Sequence, residues 1–376
     1  MLFRCISHAA GRKDPDDANL IFHQSLLMAG VCVLITLGGG FLLAAPYTRA
    51  LSANEATATA ARQYLTTFLP ALGLQFALVT MGAALRGTGV AKPTMVVQVL
   101  SVVVNAVLAP VLIAGWGTGR PLGVMGAGLA STIAVLAAVI MMLVYFLRLE
   151  HFVGFDAKQL KFHLGAWKRI LKVGLPAGGE FALMFVFMGV VYAIIRDVGA
   201  SAQAGFGIGG RVMQSLFLPA MAVAFAAAPI AGQCIGAGNV ARARQVFWVA
   251  AGLESLLMVV LTIVAQFEGD TLVRIFTQDP EIVAVGAGYL AVISFNFVAQ
   301  GVIFTASGMF QALGNTVPAM ISSATRVITF AGPGWWLHKQ PGFTLRQLWL
   351  LSVGAVTLQM FVSVGLLARE YRKKAS

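Results

Sequence analysis

The sequence predicts an all-α, polytopic membrane protein made of two helical lobes, on three observations. Hydrophobic residues make up 59% of the 376 positions and charged residues 11%, and mean hydropathy is +0.84. Soluble domains carry about 25% charged residues, so this composition suits lipid. Ten apolar runs fill the chain, each near the ~20 residues that cross the hydrocarbon core as a helix. The last four runs also repeat the first four at an offset of 225 residues. Gly11, Arg49, Tyr64, Gln75, Thr80, Gly89, Pro93 and Met95 fall on Gly236, Arg274, Tyr289, Gln300, Thr305, Gly314, Pro318 and Met320 with no gap.

The runs lie near residues 22–45, 65–85, 94–115 and 122–148, forming an N-terminal lobe over 1–148. Six more, near 174–197, 208–233, 245–266, 289–310, 317–337 and 346–367, form a C-terminal lobe over 173–376. None shows the dyad alternation of a barrel strand. Between the lobes, residues 149–172 read as an amphipathic linker. Leu160, Leu164, Trp167, Ile170 and Leu171 recur at helical spacing, and Lys158, Lys161, Lys168, Arg169 and Lys172 surround them. Such a helix is expected to lie on an anionic cytoplasmic leaflet. With helices one and seven both running outward, the repeats are parallel, which is the pattern of a transporter built from two halves around a central cavity.

The net charge of +12 would suggest nucleic acid in a soluble protein. Here most of the 26 basic residues fall in loops on the side shared by the termini, including Arg12, Lys13, Arg242, Arg244 and Lys373. That bias marks both termini as cytoplasmic, so the partner is the bilayer of a bacterial inner membrane and not nucleic acid. Residues 1–20 are mixed and polar, unlike a cleavable signal. Cys5, Cys32 and Cys234 give no disulfide framework and no metal spacing. The string Gly205-Phe-Gly207-Ile-Gly209-Gly210 matches a dinucleotide pattern literally, but it follows a membrane helix and not a strand. No phosphate-binding loop for ATP, no metal-ligand cluster and no nucleophile–base set is visible, so the chain reads as neither an enzyme nor an ATP-driven pump, and needs no cofactor.

Four motifs resemble the multidrug and toxic compound extrusion family of secondary transporters. They are Asn105-Ala-Val-Leu108 with Pro110, then Gly123-Val-Met-Gly126-Ala127; Gly174-Leu175-Pro176 with Glu180; Gln233-Cys-Ile-Gly236-Ala237-Gly238 with Ala241-Arg-Ala-Arg244; and Phe310-Gln-Ala-Leu-Gly-Asn-Thr316 with Pro318. The resemblance covers the chain from about residue 10. It implies six helices per lobe where four plus six occur here, and His8 to Asp14 match the loop after the second helix. The pattern therefore corresponds to the family without its first two helices, which a mistaken start site or a truncated gene accounts for. Ala109 also stands where the family often has Asp.

Charges inside spans mark candidate chemistry, because a charged side chain at mid-bilayer costs about 2.5–3.5 kcal/mol on insertion scales. Glu180, one turn beyond Pro176, is placed to take up a proton, bind Na⁺ or hold a cationic substrate. The resemblance supports that role, since acidic residues on the family's seventh helix contribute to cation or substrate binding. Arg326 is read as either a structural ion-pair partner or a cavity residue, and Glu254 as structural. Gln75 and Gln300, symmetric across the repeat, and Asn296, one turn before Gln300, either glue helices or contact substrate. Phe181, Met184, Phe185 and Met188 offer the soft surface that suits apolar cations, and equally ordinary packing. The expected function is antiport of amphipathic organic cations against H⁺ or Na⁺ by a monomer. The alternatives are a lipid-linked glycan flippase of the same superfamily and an inactive remnant.

Overall fold

The computed structural model describes residues 2–51, 55–117, 119–148, 153–154 and 161–375. Among them every regular element is helical. Residues 2–170 and 171–376 form two compact units. The first contains α1 (Leu2–Arg12), α2 (Pro15–Leu51), α3 (Glu55–Thr88), α4 (Lys92–Ala114) and α5 (Gly123–Arg148). Helix α6 (Leu164–Ile195) leads into the second. That unit continues with α7 (Ala200–Gly236), α8 (Val240–Phe267), the short α9 (Gly269–Arg274), α10 (Pro280–Ile293), α11 (Asn296–Leu313), α12 (Val317–His338) and α13 (Leu345–Ala375).

The sequence repeat is a structural one. Adding 225 to the limits of α3 gives residues 280–313, the span of α10 and α11 together, and adding it to the start of α4 gives the start of α12. Within each unit the same helices pack: α3 on α2 and α5, and α11 on α8 and α13. The joints also correspond bond for bond. Lys13 and Asp14 donate their backbone N–H groups to Ala10 and Ala9, as Gly238 and Asn239 donate to Ile235 and Cys234. Asp14 then caps α2 through the Asp17 N–H, and Asn239 caps α8 through the Arg242 N–H. At this joint the chain enters the left-handed region, with φ of 58° at Lys13 and 78° at Gly238. Glycine carries that conformation without a Cβ penalty and lysine does not.

Two expectations change in detail. The sequence reads residues 289–310 as one span, but the chain bends by 61° between α10 and α11. The cause lies on α8. Thr262 Oγ1 donates to the Ser294 carbonyl at 2.9 Å, and Gln266 Nε2 to the Ala291 carbonyl at 2.6 Å and to Ser294 Oγ at 2.7 Å. Side chains inserted at a helix end satisfy the carbonyls that a break exposes. The matching position in α3 is Pro70, inside a helix that continues through it. Residues 164–172, expected as a separate surface helix, are the first turns of α6, while Lys158 and Leu160 lie outside the described residues. Their anchor is protein: Trp167 Nε1 and the His163 N–H donate to Gln24 Oε1 at 3.1 and 2.9 Å, and Arg169 pairs with Asp17 at 2.9 Å.

Eight described helices are long and apolar enough to cross a membrane, and α10 with α11 qualify jointly as a broken span. Helix α12 is not apolar enough by that measure, because Arg326 and several Ser and Thr residues dilute it. Its 22 residues still extend about 33 Å. Small residues bring helices close, as membrane packing requires. A Cβ on Gly126 of α5 would sit 2.6 Å from the Leu112 carbonyl carbon and 2.9 Å from the Ile113 nitrogen of α4.

Two substitutions test this packing. Gly126→Ala should destabilise the protein by about 1–3 kcal/mol in thermal unfolding in detergent, while Gly252→Ala, with nothing within 4 Å, should be neutral or slightly stabilising. Lys13→Gly should raise stability by about 0.5–1 kcal/mol in the same assay by relieving the left-handed residue.

Candidate functional site

Helix α11 carries the polar side chains Asn296, Gln300, Thr305, Ser307 and Gln311. Three of them meet a charge from a different helix. Ser307 Oγ donates to Glu180 Oε1 of α6, and Thr305 Oγ1 donates to Glu254 Oε2 of α8. Gln300 Oε1 accepts from Arg326 Nη1 of α12 at 3.4 Å. Gln300 and Ser307 are seven residues apart, so they share one face at a rise of about 10 Å. Helix α6 runs the other way beside them: Glu180 stands at the level of Ser307, and Phe187, seven residues on, stands under Arg326.

The Arg326 guanidinium lies 3.9 Å from the Phe187 ring centroid, a cation–π contact worth roughly 1–2 kcal/mol when desolvated. Its Nε is buried without a partner, as is Asn296 Oδ1. Among the described residues no carboxylate pairs with Arg326. Around these polar groups is a cavity of about 50 Å³ lined by Arg326, Gln300, Asn296, Met188, Tyr289 and Trp349 together with further aromatic side chains. The aromatic wall is ordered by edge and stacked contacts: Phe206 meets Tyr289 at 5.3 Å and Trp349 at 5.5 Å, and Phe187 meets Phe330 at 4.8 Å. Tyr289 donates its hydroxyl to Met213 Sδ at 3.5 Å.

Of the residues singled out in the sequence, the cavity gathers Arg326, Gln300, Asn296 and Met188. Glu180 does not line it; it sits two helical turns away along α11, partly buried against Ser307. Phe181, Met184 and Phe185 do not line it either and are 48%, 42% and 71% exposed. Gln75 belongs to the first unit, where it lines a separate groove of about 660 Å³ between α3 and α4 with Arg86, Thr94 and Gln98. Glu254 is fully buried and has one oxygen without a partner. Among the described residues no cluster has the make-up of a metal site. Sequence reading missed Ser307, Thr305, Tyr289 and Trp349. Ser307 was within reach, being a polar residue one heptad from Gln300 on the same helix, and Thr305 and Tyr289 were marked only as repeat matches of Thr80 and Tyr64.

Comparison with known proteins places this geometry in context. A family model described as MatE matches residues 4–111 and 176–336. The multidrug export protein MepA of Staphylococcus haemolyticus is 25% identical over 382 residues, covering 99% of this chain and 81% of that protein. The FAD transporter of Shewanella oneidensis is 22% identical, covering 86% of this chain and 72% of that one. The probable multidrug resistance protein NorM of Thermotoga maritima is 28% identical, covering 70% of this chain and 56% of that one. Among solved structures, an outward-facing multidrug resistance MATE family transporter of the MOP superfamily shares the fold, with a TM-score of 0.93 at 19% identity over 100% of this chain and 83% of that one.

The Glu254–Thr305 contact reads as structural, and this can be measured. Thr305→Val should cost about 1–3 kcal/mol of stability by leaving the buried carboxyl without its donor. Glu254→Gln should be far milder, and thermal unfolding of the two variants side by side would separate them.

Proposed function

The chain belongs to the MatE family of multi-pass membrane transporters, and we propose that it is a secondary active antiporter exporting amphipathic organic cations in exchange for H⁺ or Na⁺. The observation that carries this reading is the pairing of Glu180 with a hydroxyl rather than with a cation. A carboxylate inside an apolar bundle is costly unless something offsets its charge. Ser307 donates one hydrogen bond and leaves that charge uncompensated. A proton, a Na⁺ ion or the cationic end of a substrate can each compensate it, and they cannot do so together. Mutual exclusion at one acid couples entry of the ion to release of the substrate, which is the requirement for antiport by alternating access.

The relatives support the export of organic solutes: two carry multidrug names, and one is named for FAD. In the bacterial inner membrane, both termini would be cytoplasmic by the bias of basic loops, and a monomer suffices for the chemistry. A flippase for lipid-linked glycans would need several cations around a diphosphate. Among the described residues lining the cavity of the second unit there is one, Arg326.

The test is efflux of a cationic dye from a drug-sensitive host, followed by uptake into everted vesicles under imposed H⁺ or Na⁺ gradients. Glu180→Gln should lower gradient-driven transport at least about tenfold at equal membrane abundance, with Glu180→Asp intermediate. Unchanged efflux by Glu180→Gln would remove the acid from the mechanism.

A further inference from the structure

The cavity in the second unit is rich in hydrogen-bond donors, and the single charge among its described lining residues is positive. Arg326 makes one long hydrogen bond to Gln300 and rests on Phe187, and its Nε has no partner. The Tyr289 hydroxyl points to a thioether sulfur, a weak acceptor that a better one would displace. Ser352 adds a second hydroxyl to the lining. Water between Arg326 Nε and Asn296 Oδ1 would satisfy two polar atoms but leave the positive charge uncompensated in an apolar bundle. A volume of about 50 Å³ admits one small group and excludes a second aromatic body.

We propose that this cavity is an anion seat, in which the Arg326 guanidinium, the Gln300 amide and the Tyr289 hydroxyl hold a single halide ion or carboxylate group. A guanidinium presents paired N–H donors that match a carboxylate, and that of Arg326 rests on the Phe187 ring at 3.9 Å from its centroid. Aromatic walls keep water out and strengthen the attraction. The anion has two sources: inorganic halide from the medium, or the carboxylate of a transported molecule. The second source deepens the proposed function and rests on it. Glu180 stands about 10 Å away along α11, so an aromatic zwitterion with its amine at Glu180 and its carboxylate at Arg326 would engage both charges.

The experiment has two arms, both on the full chain. In the first, protein in nanodiscs is titrated with sodium bromide against sodium isethionate, whose anion is too large for the cavity, at constant ionic strength. Bromide should raise the unfolding midpoint by about 2–4 °C in the wild type, by less in Arg326→Lys, and not at all in Arg326→Gln. In the second, proteoliposomes take up an aromatic amino carboxylate whose amine and carboxylate lie about 10 Å apart, or its methyl ester. The wild type should prefer the free carboxylate about tenfold in kcat/KM, and Arg326→Gln should bring the ratio near one. A bromide shift alone identifies the occupant as a bulk anion; a carboxylate preference alone identifies it as substrate. Neither effect in the wild type means that the cavity holds water only, and the proposal is overturned. If Arg326→Gln does not accumulate, the wild type and Arg326→Lys still decide. The bromide arm needs no transport, so its failure is separate from any failure at Glu180.

Discussion

The structure depends on how an apolar helical unit keeps three charges without neutralising them. Glu180, Glu254 and Arg326 come from α6, α8 and α12, and each is met by an uncharged polar side chain of α11. A hydrogen bond to a charged group contributes roughly 1.5–3 kcal/mol, enough to orient the group but less than its desolvation cost. An ion pair would compensate the charge permanently; a serine or an amide leaves it open to a mobile partner. Glu254 is fully buried, whereas Glu180 is partly exposed and Arg326 borders a cavity.

The internal repeat makes the asymmetry visible. Thr305 corresponds to Thr80, but Thr80 bonds back to its own helix at Phe76. At the positions that match Ser307, Glu254 and Arg326, the first unit has Gly82, Ala29 and Ser101. Both units keep the same helix order and the same left-handed joints, so the duplication conserves the scaffold. Glu254, Arg326 and Ser307 thus have no like counterpart in the first unit, whereas Thr305 and Gln300 do, in Thr80 and Gln75. Gln75, the partner of Gln300 by register, lies in a groove with Arg86 instead.

Much of the scaffold was legible because lipid imposes simple rules. Run length placed the spans, and the offset of 225 residues placed matching joints at Lys13 and Gly238 and at Gly89 and Gly314. The break after Ile293 was not legible, since its cause is Thr262 and Gln266 on another helix. Proline was no guide there: Pro70 sits inside a continuous helix at the corresponding place. The same limit applies to the site. An acid or an arginine inside an apolar run announces itself through its cost. Its neutral partner looks like any serine or glutamine until the helices are packed, and Tyr289 and Trp349 look like core.

The central claim is that Glu180 is an uncompensated acid at which a small cation and a substrate exclude each other. The most direct measurement is cation release on substrate binding, by purified protein in weakly buffered detergent with and without Na⁺. The account predicts about one H⁺ or Na⁺ released per cationic substrate bound by the wild type, and none from Glu180→Gln. Substrate binding that releases no cation from the wild type, or releases the same amount from Glu180→Gln, would contradict it.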